Sequence, residues 1–185
     1  HLSWTLNFLD NFKTDNENLD FIEDNSKEIV IFGCHRIGSL ILREFENNKD
    51  GVIVVDYNPE IIRALIEKKI PCIYGDFMHE EILDRVNLKN SDIFISTVPD
   101  FEENISLTKK IKKENSKSVV IVVASRISEA NDLYKVGADY VILPKLISGE
   151  KASDIVKKIR KDKNGLKRLR NDHKKYLNSI HRLLY

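Results

Sequence analysis

Residues 28–56, EIVIFGCHRIGSLILREFENNKDGVIVVD, decide how the rest of the chain is read. From Ile29 to Phe32 the run is apolar without interruption, which suits a strand covered on both faces. A glycine turn follows, Gly33-Cys34-His35-Arg36-Ile37-Gly38, then an amphipathic segment and a second apolar run that ends on Asp56. Strand, glycine turn, helix and strand make a βαβ unit of the kind that holds nucleotides, with an acidic residue about 20 positions on, where a ribose partner belongs. Gly33 and Gly38 fill the first and third glycine roles, tight turn and close helix–strand packing. His35 stands where the middle glycine would let a pyrophosphate approach the backbone. A side chain there either crowds the pyrophosphate or itself points at phosphate.

The same alternation continues outward. Strands are predicted over 28–33, 51–56, 71–74, 92–98, 118–124 and 139–143, and helices over 36–48, 59–69, 79–88, 102–115 and 127–136. Asn58 followed by Pro59 marks a helix start, and Gly137 sits where a C-terminal capping glycine belongs. Six strands with five intervening helices predict an α/β fold, a Rossmann-like doubly wound parallel sheet in the order 3-2-1-4-5-6, with flanking terminal helices.

Ligands of such a sheet bind outside the carboxyl ends of its strands. Backbone N–H groups of a turn at a positive helix end favour phosphate, and Arg36 adds a persistent charge there. Asp56, beside Tyr57, can accept from ribose hydroxyls and would repel a 2′-phosphate. Gly75 and Asp76 close the third strand, and Thr97 and Val98 end the fourth. Cys34 lies at a helix N-terminus, a position that can lower a thiol pKa and so permits redox sensing.

The termini differ from this body. Residues 151–185 hold 12 Lys/Arg against 3 Asp/Glu, a balance of +9, which leaves −8 for residues 1–150. Within the tail Ile159, Leu166, His173 and Ile180 recur every seven residues, with Leu169, Tyr176 and Leu183 between them: a weak heptad interrupted at Asn164-Gly165. A helix packing on another subunit accounts for it better than a nucleic-acid arm, because the acidic body opposes nucleic acid. Residues 1–13 are apolar at helical spacing and rich in aromatics, which suits either a packed helix or a segment leaving a membrane. Residues 14–27 are polar, aperiodic and read as a linker. A chain opening on His1 is expected to be a piece of something longer. The longest apolar run, residues 119–124, is far below the roughly 18 residues of a membrane span. The two cysteines suggest neither a disulfide framework nor a zinc site.

GCHRIG, VVDYNPE, YGDF, STVPD, VVASR and GADYVILP, with their spacing, resemble the KTN/RCK (TrkA-N type) domain, a Rossmann-type regulatory module of potassium channels and transporters. The lead-in and the Ser-Gly after the last strand are most similar to the cytosolic C-terminal domain of Kef-type cation/proton antiporters. The resemblance divides the chain into a lead-in from a membrane domain (1–27), a nucleotide-binding domain (28–150) and a basic helical segment (151–185). By position it implies a nucleotide site of Gly33, Cys34, His35, Arg36, Ile37, Gly38, Asp56, Tyr57, Asp76, Phe77, Thr97, Val98 and Arg126. Asp76 and Phe77 would lie beside adenine, and Arg126 would match a basic position that some relatives use for a regulatory ligand. Lys145 stands where relatives often have glutamate, so no metal is expected there. The implied cofactor is an adenine nucleotide, AMP or NAD(H) before ADP or ATP. The implied partners are a second copy and a membrane-embedded transport domain of the same longer chain, at the cytoplasmic face. No catalytic residues and no nucleic-acid partner are expected. The alternatives are the RCK domain of a potassium channel and a stand-alone NAD-dependent oxidoreductase.

Overall fold

The computed structural model describes residues 20–22, 27–45 and 51–184. Strands and helices alternate as β1 (Ile29–Phe32), α1 (Arg36–Arg43), β2 (Val52–Asp56), α2 (Pro59–Glu67), β3 (Cys72–Tyr74), α3 (Glu80–Arg85), β4 (Ile93–Ser96), α4 (Phe101–Glu114), β5 (Val119–Val123), α5 (Ile127–Lys135), β6 (Tyr140–Ile142), α6 (Pro144–Lys161) and α7 (Leu166–Leu184). The six strands form one sheet in the order β3-β2-β1-β4-β5-β6, and every neighbouring pair is parallel. This is the predicted Rossmann-like architecture.

Alternation along β1 shows why its sequence is apolar throughout. Val30 and Phe32 join the layer that holds Phe94, Leu107, Ile111 and Leu133. Ile29 and Ile31 join the opposite layer with Leu42, Ile62 and Leu65. Side chains two apart share a face, so a strand buried on both sides needs an apolar residue at every position. The helix signals also act as read. Asn58 accepts from the Glu60 N–H at 2.9 Å ahead of Pro59, a cap worth about 1 kcal/mol. Gly137, at φ +110, turns the chain out of α5.

Near the last strand the GADYVILP run works mainly as a brace. Asp139 Oδ2 accepts from the Val120 N–H and from Lys112 Nζ, each at 2.7 Å, and Lys112 Nζ also donates to the Ser118 carbonyl. Burial pushes the Asp139 carboxyl up, but the Lys112 and Val120 hydrogen bonds outweigh it and hold the pKa below its ordinary value. A depressed carboxyl stabilises the fold above its unfolded pKa of about 4, and that contribution disappears as pH falls through the depressed value. Lys112→Met should therefore flatten the acid-side slope of stability, read as urea midpoints between pH 7 and pH 2.5.

At the ends one expectation changes and another holds. The stretch read as a linker contributes Asp20, Phe21 and Ile22 to the body. Phe21 pairs antiparallel with Cys72 on the open edge of β3, with N–O distances of 3.0 and 2.8 Å. Phe21 and Ile22 also pack on the core, which an aperiodic polar context concealed. The weak heptad is interrupted where its sequence indicates, at Asn164-Gly165. It breaks between α6 and α7, where Asp162 Oδ1 accepts from the Gly165 N–H at 3.0 Å. The apolar lead-in read over residues 1–13 lies outside the described residues.

Candidate functional site

Strand order reverses at β1, which has β2 on one side and β4 on the other. The crevice at their carboxyl ends is therefore where this architecture receives a ligand. Gly33, at φ +81, leaves β1 as its N–H donates to the Val55 carbonyl at 2.8 Å. A Cβ at Gly33 would stand 3.1 Å from Thr97 Oγ1 and 3.2 Å from Val98 Cγ2, so the turn lies against the end of β4. Thr97 Oγ1 donates to the Gly33 carbonyl at 2.8 Å and fastens that contact. Gly38 sits over the same carbonyl; a Cβ there would overlap the Gly33 oxygen. The first and third glycine roles are both real.

Asp56 closes the arrangement. The side chain is 6% exposed, with Oδ2 accepting from the Cys34 N–H at 2.7 Å and Oδ1 from the Asn58 N–H at 2.8 Å. A carboxylate has about four acceptor positions, so one remains on each oxygen, enough for two ribose hydroxyls. The same contact commits the Cys34 N–H, and the donors left for phosphate begin at His35. Helix α1 has neither a side-chain cap nor an acidic residue in its first turn, whereas Asn58 caps α2 and Asp100 caps α4. The first N–H groups of a helix lack intrahelical acceptors and carry partial positive charge, so this end suits an anion. His35 and Arg36 are exposed at that end and Ile37 is half-buried. His35 has φ −79, outside the positive-φ region that favours glycine.

Gly33, Cys34, Gly38, Asp56, Thr97 and Val98 are thus brought together by direct contacts. Asp76 joins them through Gly75, whose N–H donates to the Asp56 carbonyl at 3.0 Å, and Asp76 Oδ1 accepts from the Met78 N–H. Tyr57 is exposed beside Asp56. Phe77 does not offer its ring to an adenine as expected. Burial draws it into the core, where it meets Phe32 at a tilted angle with centroids 5.2 Å apart. Arg126 lies beyond the end of β5, its guanidinium turned out onto Glu129 at 2.8 Å. Glu129 also accepts from the Ser125 and Arg126 N–H groups, which with Arg126 hold its pKa below the usual value.

The thiol expectation is overturned. Burial first, and then the Asp56 charge, push the Cys34 pKa up to about 12, with Lys68 opposing only in part. A thiol kept neutral in this way is a poor nucleophile, so a thiolate-based redox role has no support. Asn104 was missed in the sequence. It is fully buried, and its Nδ2 donates to the Val98 carbonyl at 2.9 Å and the Val123 carbonyl at 3.0 Å, tying the ends of β4 and β5. Only its polarity on the inner face of an otherwise apolar helix stripe could have signalled it.

The model of the TrkA-N domain family matches residues 29–144, most of the chain and the whole sheet. The chain belongs to the TrkA-N domain family. Potassium channel protein 1 of Methanocaldococcus jannaschii is 27% identical over 133 residues, which are 71% of this chain and 40% of that protein. The TrkA-N chain thus spans well under half of that curated relative. Among solved structures, the Shewanella denitrificans Kef C-terminal domain in its AMP-bound form superposes with a TM-score of 0.62 at 15% identity, covering 84% of this chain and 97% of that one. The GsuK channel bound to NAD superposes at 0.59 and 18% identity, covering 76% and 25%. Likeness at such identity is one of fold. Among the described residues of the TrkA-N chain, no helix is long and apolar enough to cross a membrane.

Proposed function

We propose that this chain is the cytoplasmic regulatory domain of a potassium or cation/proton transport protein, and that an adenine nucleotide bound in the β1–β4 crevice sets its state. The observation that carries the reading is Asp56, whose Oδ2 holds the glycine turn at the Cys34 N–H and whose Oδ1 holds the Asn58 N–H, leaving a further lone pair on each oxygen for a ribose. Phosphate would sit at the uncapped end of α1, near Arg36. Gly75 and Asp76 would flank the base. An AMP-bound and an NAD-bound relative of the same fold support the ligand class, and a potassium channel relative supports the regulatory, non-catalytic role.

A side chain at the middle glycine position narrows the approach that a pyrophosphate requires, so we take His35 to favour a mononucleotide. Calorimetric titration with AMP, ADP, ATP, NAD⁺ and NADH tests the reading, and AMP is expected to bind with the greatest affinity. His35→Gly should leave AMP within about threefold while tightening NAD⁺ about tenfold, or roughly 1.4 kcal/mol. Binding of none of the five would overturn the proposal.

Nucleotide acts on transport only through differential affinity for two arrangements of the assembly. We place a second copy of this chain on α6, none of whose residues is buried within one chain. Ile147, Ile155 and Val156 are exposed on α6, and Tyr134 and Tyr140 are exposed on the elements leading into it. Apolar surface of this kind is characteristic of an interface. Sedimentation velocity should show a dimer that Ile155→Asp with Val156→Asp converts to monomer.

A further inference from the structure

Asp20 grips the stretch after β3 at two points, the last residue of β3 and the last residue of α3, and it does so from the segment that precedes the domain. Its Oδ1 accepts from the Tyr74 N–H at 2.8 Å, immediately before Gly75. Its Oδ2 meets Arg85 Nη2 at 2.6 Å, on the last residue of α3. Between these two points lie Gly75 and Asp76, the proposed wall for the base, followed by the buried Phe77 and helix α3. The bracketed loop has little slack of its own. Gly75 has φ +152 and packs so closely on Ile82 of α3 that a Cβ there would overlap the isoleucine. Phe21 continues the grip, exchanging hydrogen bonds with Cys72.

The register shows what the segment contributes. The Val54 N–H donates to the Pro71 carbonyl and the Gly75 N–H to the Asp56 carbonyl, so alternate groups along β3 face β2. The Cys72 and Tyr74 N–H groups face the other way and donate to Phe21 and Asp20. Without residues 20–22 these two donors would stand on an open sheet edge, and the Asp20–Arg85 pair that links α3 to this edge would be lost.

We propose that Asp20 is a positioning residue for the nucleotide site, and that docking of residues 20–22 and nucleotide binding are coupled through the Gly75–Asp76 wall. The inference rests on the nucleotide reading above. It assigns a direction to the signal: a nucleotide that favours the ordered wall favours the docked lead-in, and undocking the lead-in weakens the nucleotide by the same factor. The lead-in is the stretch that would continue toward a transport domain, so the coupling gives the pocket a physical handle on the rest of a longer chain.

Amide exchange of Cys72 and Tyr74 reads docking directly, while AMP titration reads the pocket, both on the full 185-residue chain. Saturating AMP should slow exchange of the two amides about fivefold or more, the low end of ordinary coupling. Asp20→Ala should speed exchange of both by more than tenfold, weaken AMP by the factor that AMP slows exchange in the parent, and abolish the AMP effect on exchange. Arg85→Ala retains the Tyr74 acceptor and should give an intermediate value for each. Exchange of the β1 and β4 amides should stay unchanged in both variants, which separates undocking from unfolding. If the parent binds AMP but Asp20→Ala binds it within twofold while its edge amides exchange freely, the coupling is overturned and the pocket reading stands. If the parent binds no adenine nucleotide, both are overturned.

Discussion

Replacing Asp56 with alanine should abolish adenine-nucleotide binding, weakening it at least a hundredfold, and should also destabilise the fold by about 3 kcal/mol. Both effects come from one carboxylate. In the folded chain it satisfies the Cys34 and Asn58 N–H groups. Cys34 is buried, so its donor has no ready substitute in water, and an unsatisfied buried group costs about 1–3 kcal/mol. Asn58 is half-buried and should contribute less. For a chain of this size, 1 kcal/mol corresponds to roughly 2–4 °C, so the melting temperature should fall by about 6–12 °C. Asp56→Asn separates the two roles. Its amide oxygen can accept one of the two N–H groups, but its NH₂ confronts the other donor, so stability should fall by about half as much. Ribose recognition should still fail, since one face of the group now donates where acceptance is needed. Calorimetry well below the variants' melting temperatures, with near-ultraviolet circular dichroism as a check on packing, distinguishes lost binding from lost structure. A folded Asp56→Ala chain that binds AMP within twofold of the parent would refute the ribose assignment.

The division of labour at Asp56 also explains what the sequence discloses and what it hides. Strand order, helix positions and the two glycine roles were legible because each follows from local pattern: uninterrupted apolar runs, Asn58-Pro59, and the spacing of Gly33 and Gly38. The place of Asp56 at a strand end, on which the proposed ribose role rests, was legible too. The Asp56 grip on the Cys34 N–H was not, because it joins residues 22 positions apart and depends on the lateral offset of β1 and β2. The same contact overturns the reactive-thiol reading: a helix N-terminus is visible in sequence, but burial beside a carboxylate is not. Phe77 shows the converse error, in which position along the chain suggested the pocket and the preference of an aromatic ring for the core prevailed. Asn104 and Asp20 both act through main-chain carbonyls or amides of distant strands, and main-chain partners leave no mark on composition. Residues 20–22 could be read only as polar linker because two residues on a sheet edge have no period.

Gly38→Ala should be the most damaging of the glycine substitutions, although alanine is the better helix former. On propensity alone the change would favour α1 by about 1 kcal/mol. Contact decides otherwise. The added Cβ would overlap the Gly33 carbonyl oxygen, and the next atoms it would meet are the Gly33 carbonyl carbon at 3.0 Å and Thr97 Oγ1 at 3.2 Å. Gly33 cannot move aside freely, because its N–H is held by Val55 and its carbonyl by Thr97. The helix must therefore lift away from β1, and overpacking against backbone costs about 3 kcal/mol after the propensity gain is deducted. Lifting α1 also shifts the N–H groups proposed for phosphate, so AMP affinity should fall at least tenfold even where the chain stays folded. Gly33→Ala should cost less, about 1–2 kcal/mol for φ +81, because its Cβ meets two side-chain atoms at 3.1 and 3.2 Å rather than backbone. Gly149 in α6 has nothing within 4 Å, so Gly149→Ala should raise stability by about 0.5–1 kcal/mol. Urea unfolding of the three variants should therefore give the order Gly149→Ala, parent, Gly33→Ala, Gly38→Ala, from most to least stable. If Gly38→Ala unfolds at or above the parent midpoint, α1 does not pack on the turn as closely as the Gly38–Gly33 contact requires, and the case for a phosphate-binding turn loses its geometric basis.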